Sequence, residues 1–316
     1  MKAAVVHDFQ LPPTYTEFPD PVPEADELVV DLTAAALSPL SRSQASGKHY
    51  SSTGELPLIP GNDGVGRLAD GRRVYFVASH FPFGAMAEKS LASTRAFLEL
   101  PSSLDDANAA AIANPGMSSW AALNVQAKLV AGETVLVHGA TGSAGQLATK
   151  IAKHLEAGRV IAVGRGSSGL GQVIADEHID MDQTPEELLA RLRAVFTQGV
   201  DVILDYLWGA PAELLFEAIK GNGGPAGEPR IRFVQIGTVA GPKISLAGES
   251  LRSSGLRLMG SGLGSVSRSD LLTSIAGVFQ AAATSDLKVE TEVVPLSEVQ
   301  EAWNRDTHGK RLVFQV

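Results

Sequence analysis

The sequence contains no cysteine. Disulfides, thiolate zinc sites and a cysteine nucleophile are therefore excluded. Seven histidines remain as potential metal ligands, but no His-x-x-x-His or comparable pair brings two of them together. Long apolar runs are missing as well: nothing approaches the roughly 20 residues needed to cross a bilayer. Positive charge is in short supply, with 26 Lys and Arg against 35 Asp and Glu for a net charge of −9. A nucleic-acid partner needs a basic surface, so none is expected, and neither is a membrane partner. The opening residues, Met1-Lys2-Ala3-Ala4-Val5-Val6-His7, run into a strand-like pattern without an apolar leader and small-residue cleavage site. The expectation is a cytoplasmic protein.

What is abundant is glycine, with 32 residues, in a chain that is 44% hydrophobic and 19% charged. So many tight turns suit an α/β enzyme with glycine-rich loops better than a helical bundle. At 316 residues the chain is long enough for two domains. The first 113 residues read as short strands punctuated by Pro and Gly, with Leu28–Leu32 and Arg73–Val77 as strand candidates. From Asn114 the texture changes to alternating strand and helix through residue 284. Thr134–His138 is a short apolar run, followed by a helix whose Leu147, Ile151 and Leu155 recur on one face. Val160–Val163 is the next strand. Thr184-Pro185-Glu186-Glu187 starts a helix with an N-cap, a proline in the first turn and a capping-box glutamate, and Gly199 stops it. Val200–Asp205, Ile231–Ile236 and Leu256–Gly260 read as further buried strands. Strands alternating with helices imply a doubly wound parallel sheet. The segment Gly221-Asn222-Gly223-Gly224-Pro225-Ala226-Gly227 reads as a surface loop.

The strongest chemical signal lies at the first strand-to-helix turn, Val137-His138-Gly139-Ala140-Thr141-Gly142-Ser143-Ala144-Gly145. Read as Ala140-x-Gly142-x-x-Gly145, it is a dinucleotide fingerprint with alanine in the first glycine position. Gly142 would let the backbone approach a pyrophosphate, and Gly145 would let the helix pack close to the strand. The free N–H groups where Ser143, Ala144 and Gly145 open the helix would face the phosphates. A lone fingerprint is weak, but this one follows a strand and opens a helix within a βαβ unit.

The second strand ends Val163-Gly164-Arg165-Gly166-Ser167-Ser168. It lacks the acid that accepts ribose hydroxyls in NAD enzymes. Arg165 would instead pair with a 2′-phosphate, with Gly164 and Ser167 beside it. The expected cofactor is thus NADPH; the alternative is a surface arginine at a helix start.

These residues resemble the zinc-free quinone oxidoreductase branch of the medium-chain dehydrogenase/reductase superfamily. The likeness rests on Pro60-Gly61-Asn62-Asp63-Gly64-Val65-Gly66, Gly84-Ala85-Met86-Ala87-Glu88, Gly116-Met117-Ser118-Ser119-Trp120, the loop after His138, and Gly199–Asp205. It implies a GroES-like β-barrel catalytic domain over 1–113, joined by the C-terminal 285–316, and a Rossmann domain over 114–284. It implies hydride transfer from NADPH to a quinone, enone or similar conjugated carbonyl, without zinc. Where zinc relatives place a histidine ligand, this chain has Asn62; where their cysteine falls, it has Ser38-Pro39-Leu40-Ser41. Quinone reductases usually read Asn-Pro-x-Asp at that second site, so substrate preference does not carry over. The resemblance also implies a homodimer, for which Leu256-Arg257-Leu258-Met259 is the edge-strand candidate.

The same resemblance supplies further site residues. Tyr50 is the candidate hydrogen-bond donor to the acceptor oxygen, with His49 competing because the loop's alignment is uncertain by one residue. Packing of that tyrosine against the barrel is the other reading. Ser118, in a Gly116-Met117-Ser118 turn, would bond the cofactor, or else be a helix N-cap. Gly237, Thr238 and Leu263 follow parallel strands and would line the nicotinamide. Arg305 would approach the adenosine phosphate, or be a solvated helix-end arginine. Asp63, Glu88 and Asp205 read as structural acids, and His138 as a satisfied core histidine. Two other activities fit the same residues: an enoyl-thioester or double-bond reductase, and a cofactor-binding redox sensor without turnover.

Overall fold

A computed structural model of the protein describes residues 1–48, 52, 54–78, 80–220, 231–285, 287–307 and 309–316. The chain divides into two compact units, Met1–Asn114 with Phe279–Val316, and Pro115–Val278.

In the first unit the strands are Lys2–Val5 (β1), Thr14–Glu17 (β2), Glu27–Ala36 (β3), Asp63–Arg67 (β4), Arg73–Ala78 (β5) and Lys89–Glu99 (β6). The second contributes Thr134–His138 (β7), Arg159–Gly164 (β8), Glu177–Asp180 (β9), Val202–Asp205 (β10), Arg232–Gln235 (β11) and Arg257–Gly260 (β12). Thr291–Pro295 (β13) and Arg311–Gln315 (β14) return to the first unit.

The first unit is built around β3, which is long enough to serve three partners. Its Glu27–Asp31 half pairs antiparallel with β6, Asp31–Ala34 with β4, and Ala34–Ala36 with β14. Because β6 also pairs with β5, and β5 with β4, the four strands close on themselves as a barrel-like sheet. β13 and β14 extend it as a parallel pair. Closure removes the exposed strand edges that an open sheet would present. Polar groups sit inside as well: Asp63 is buried, and the buried Tyr75 hydroxyl donates to its Oδ2 at 2.9 Å. Burial raises the Asp63 pKa, while the Tyr75 hydrogen bond and the nearby Arg311 guanidinium pull it down. Glu88, the other acid of this unit read as structural from the sequence, accepts the Lys2 backbone N–H at 2.7 Å.

The second unit is a six-stranded parallel sheet in the order β12-β11-β10-β7-β8-β9. The chain starts in the middle at β7, winds outward through β8 and β9, and then crosses to β10 on the other side. A topological switch therefore lies between β7 and β10, where doubly wound sheets bind their ligands. The barrel-like sheet and this parallel sheet are the two architectures expected from the sequence. The helix after β7 spans Ser143–His154, and its Leu147, Ala148, Ile151 and Ala152 are completely buried. A fully buried Leu or Ile contributes about 1.5–3 kcal/mol. The helix Pro185–Gln198 has the expected capping box between Thr184 and Glu187 and ends at Gly199.

Two readings of the sequence need correction. Gly116-Met117-Ser118 is not a turn: Asp106–Ala121 is one helix, widening into a π-helical stretch over Ala122–Ala127. Pro115 and Gly116 look like helix breakers, but the run Ala109–Ala113 is buried and favours helix. Gly116 is small for a packing reason, since a Cβ there would lie 2.7 Å from Val278 Cγ1. β12 is likewise not a buried strand; it is a sheet edge, with Leu258 40% exposed. The predicted loop Gly221–Gly227 lies outside the described residues.

The Tyr75–Asp63 bond supplies a stability test. Tyr75→Phe leaves a buried carboxylate short of a donor, and a loss of about 1–3 kcal/mol is expected. Chemical denaturation of variant and parent measures it; an unchanged midpoint would show that the bond contributes nothing.

Candidate functional site

The loop after β7 is held by its neighbours on both sides. Gly139 and Ala140 both donate their N–H groups to the Val163 carbonyl on β8, each at 2.9 Å. Thr141 packs on the end of β8, where a Cβ on Gly164 would come within 2.9 Å of its Cγ2. Gly142 is extended and precedes the helix without any side-chain cap. The first bond back to it comes from the Gln146 N–H, at 2.9 Å to the Gly142 carbonyl. The N–H groups of Ser143, Ala144 and Gly145 therefore lie in the helix turn that has no intrahelical acceptors.

The two later fingerprint glycines have different reasons for being glycine. A Cβ on Gly145 would collide with the Gly139 carbonyl oxygen and sit 2.7 Å from Ala140 Cα. Gly145 is needed for the helix to approach the loop. A Cβ on Gly142 would meet only the Gly139 oxygen, at 3.6 Å. Nothing in the chain itself requires glycine there, so the missing side chain leaves open space beside uncapped N–H groups. An anionic group fits that space and that field.

Across the switch, His138 and Asp205 end the adjacent strands β7 and β10, opposite one another in register. Both are buried, and His138 Nδ1 lies 2.8 Å from Asp205 Oδ1. A carboxylate only accepts, so the shared proton resides on Nδ1. Asp205 also accepts from the Leu207 N–H at 3.1 Å and from the Trp208 N–H at 3.2 Å. Trp208 adopts a positive φ of 56°, strained for a residue with a side chain. Asp205 thus holds both the histidine that ends β7 and a strained turn beside it. The sequence reading gave each a structural role but missed that they are partners, which only strand order reveals.

The remaining expected residues fall as follows. Arg165 is exposed at the end of β8, followed by Gly166 and by Ser167 at the start of a short helix. Gly237 abuts the Tyr206 backbone, and the exposed Thr238 follows it at the end of β11. Leu263, 54% exposed, follows β12. Ser118 is neither in a turn nor at an N-cap: it lies inside its helix and donates to the Pro115 carbonyl at 2.8 Å. Ser119 does the same at 3.0 Å. Both serines sit beside the Tyr206 phenol without completing a hydrogen bond of normal geometry to it. Burial pushes that phenol up to about 12, with the serines acting the other way. Arg305, in the other unit, donates to Glu292 at 2.8 Å, and this contact raises its pKa. Tyr50 and His49 lie outside the described residues.

Asn62, at the zinc enzymes' histidine position, has a buried Nδ2 without a partner. Ser38 and Ser41, where their cysteine falls, bond each other at 2.8 Å. Among the described residues no three His, Asp or Glu side chains converge to hold a metal. Among them, too, no helix is long and apolar enough to cross a membrane.

Comparison with known proteins agrees with this geometry. No family model matches the sequence. A protein of Emericella nidulans named as a probable NADPH-dependent quinone reductase is 29% identical, with 99% of each chain covered. A mycobacterial quinone oxidoreductase superposes over the whole of both chains with a TM-score of 0.84 at 20% identity. The chain is thus similar over its whole length to a protein named as a quinone reductase, and it shares the fold of solved quinone oxidoreductases. One of these, from Thermus thermophilus, was solved alone and with NADPH; it matches with a TM-score of 0.80 at 23% identity over all of both chains.

The Asp205 contacts carry a stability test of their own. Asp205→Ala strands a buried imidazole and frees two turn N–H groups, so a loss of about 3–5 kcal/mol is expected. Thermal unfolding of the purified variant reads this. A melting temperature equal to the parent's would mean that the turn and His138 are held by something else.

Proposed function

We propose that the protein is an NADPH-dependent oxidoreductase that transfers a hydride to a quinone, enone or similar conjugated carbonyl without zinc. The observation that carries this reading is the uncapped helix start at Ser143, opened by a glycine with empty space beside it, at the switch point of a parallel sheet. The names of the relatives support the same cofactor and acceptor class.

The N–H groups of Ser143, Ala144 and Gly145 would hold the pyrophosphate, with Ala140 and Gly142 shaping the loop. Arg165 would pair with the 2′-phosphate, with Gly164 and Ser167 beside it. We assign Gly237, Thr238, Leu263 and Ser118 to the nicotinamide and Arg305 to the adenosine phosphate. When bound, NADPH supplies the hydride. The chain's own part is to orient the two reactants and to exclude competing reactions. A conjugated acceptor spreads its developing negative charge, so it needs less polarisation than a simple ketone; Tyr50 is the donor we assign to its oxygen. Zinc independence is supported by Asn62 and the Ser38–Ser41 pair at the ligand positions of zinc relatives. We read the protein as a cytoplasmic homodimer that uses the exposed β12 edge.

Two experiments test this. Mixing the protein with NADPH and a panel of quinones and enones, and following loss of nicotinamide absorbance, should show turnover that a chelator leaves unchanged. Tight NADPH binding without turnover on any acceptor would favour a sensor. In the second, Arg165→Ala should weaken NADPH by about tenfold, as expected for loss of a charge-assisted phosphate contact, and leave NADH nearly untouched. Equal losses for both cofactors, measured by calorimetry, would remove Arg165 from the phosphate site.

A further inference from the structure

The residue that faces Arg165 is an acid, and no local sequence motif announces it. Asp182 follows β9, and its Oδ2 accepts the Gly166 N–H at 2.9 Å. Its Oδ1 lies 3.9 Å from Arg165 Nε. The placement is fixed by backbone contacts: the Met181 N–H bonds the Gly164 carbonyl at 2.8 Å, and the Asp182 N–H bonds Asp180 Oδ1 at 2.9 Å. The loop after the third strand is thereby tied to the end of the second. The two charged side chains themselves stay wet, at 73% exposed for Arg165 and 52% for Asp182.

We propose that Asp182 is a specificity-determining residue that sets the balance between the phosphorylated and unphosphorylated nicotinamide cofactors. The inference rests on the reading of Arg165 as the 2′-phosphate partner. Asp182 takes the Gly166 N–H and lies 3.9 Å from the arginine's Nε, beside the group that would receive the phosphate. A phosphate arriving there meets like-charge repulsion. A ribose carrying only hydroxyl groups meets the opposite situation, because a carboxylate accepts from hydroxyls. In NAD enzymes an acid at the end of the second strand does this work. Here that position holds Arg165, and Asp182 offers the acceptor from the neighbouring strand. The arginine thus favours NADPH, while the aspartate works against it and in favour of NADH.

Calorimetric titration of the full chain with NADPH and with NADH, for the parent and Asp182→Asn, decides the matter. Asparagine keeps an oxygen for the Gly166 N–H and removes the charge. The NADPH dissociation constant should fall by about two- to fivefold, the range expected for removing one exposed like charge near the phosphate. The NADH constant should stay or rise, so the ratio moves toward NADPH. Asp182→Ser, which also lacks the charge, should move the ratio the same way, and melting curves of both variants check the fold. A loop-packing role alone would shift both cofactors together; that outcome, or no shift in either, overturns the inference. A parent that binds neither cofactor would instead remove the dinucleotide reading on which it rests. A parent that prefers NADH but moves toward NADPH in both variants would support Asp182 and correct the cofactor assignment.

Discussion

The second unit depends on the absence of one carbon atom. Helix Ser143–His154 reaches the end of β7 only because residue 145 has no Cβ; with one, the Gly139 carbonyl and the Ala140 backbone would have to move. Those two residues are not free to move. Their N–H groups are both committed to the Val163 carbonyl, and the adjoining Thr141 is seated on Gly164. On the other side the Tyr206 N–H bonds the His138 carbonyl, and Asp205 holds the His138 ring. Three strand ends are thus locked around one loop. Close approach of helix to loop directs the unsatisfied N–H groups of the first helical turn to the carboxyl edge of the sheet. A looser junction would fill that turn with water or a side-chain cap. The site is a consequence of packing before it is a consequence of charge.

The first unit solves a different problem. A small barrel-like sheet has little interior, and this one gives part of it to Asp63, Tyr75 and Arg311. Burying charge is costly unless it is paired and hydrogen-bonded. Tyr75 meets that need locally, across two neighbouring strands. Arg311 comes from the far end of the chain on β14, which also pairs with β3. The strand that extends the sheet thus also brings a positive charge near Asp63 without bonding to it, since Arg311 Nε and Nη2 are buried with no hydrogen-bond partner.

Much of this was legible in the sequence wherever the signal is local. The glycine-rich turn from strand to helix at residues 139–145, the capping box at Thr184 and the alternation of strand and helix after residue 114 all depend on neighbours within a few positions. Two kinds of feature were not legible. Helix Asp106–Ala121 was obscured because Pro115 and Gly116 read as breakers, while the burial of Ala109–Ala113 and the contact of Gly116 with Val278 are tertiary. The partnerships His138–Asp205 and Arg165–Asp182 join residues 67 and 17 positions apart, respectively, through strand order. His138, Asp205 and Arg165 were visible; Asp182 and the adjacency of the strands were not. Ser118 lies between these cases. The resemblance selected the residue, but its hydroxyl is already bonded to Pro115, so any contact with a ligand must compete with that bond.

The net charge of −9 sets a final constraint on how this chain can hold a polyanion. Long-range attraction cannot do it, because the field of the whole molecule has the wrong sign. What remains is short-range. Backbone N–H groups at a helix start carry no net charge, act at contact distance within the first turn, and are fixed by the packing around Gly145. They suit the part of the cofactor common to NADH and NADPH. In the proposed site, discrimination at the 2′ position would fall to Arg165 and Asp182, both exposed to water and salt, where an ion pair is worth little. Strong common binding and modest discrimination would then follow from where each is built: one in a packed junction, the other on the surface.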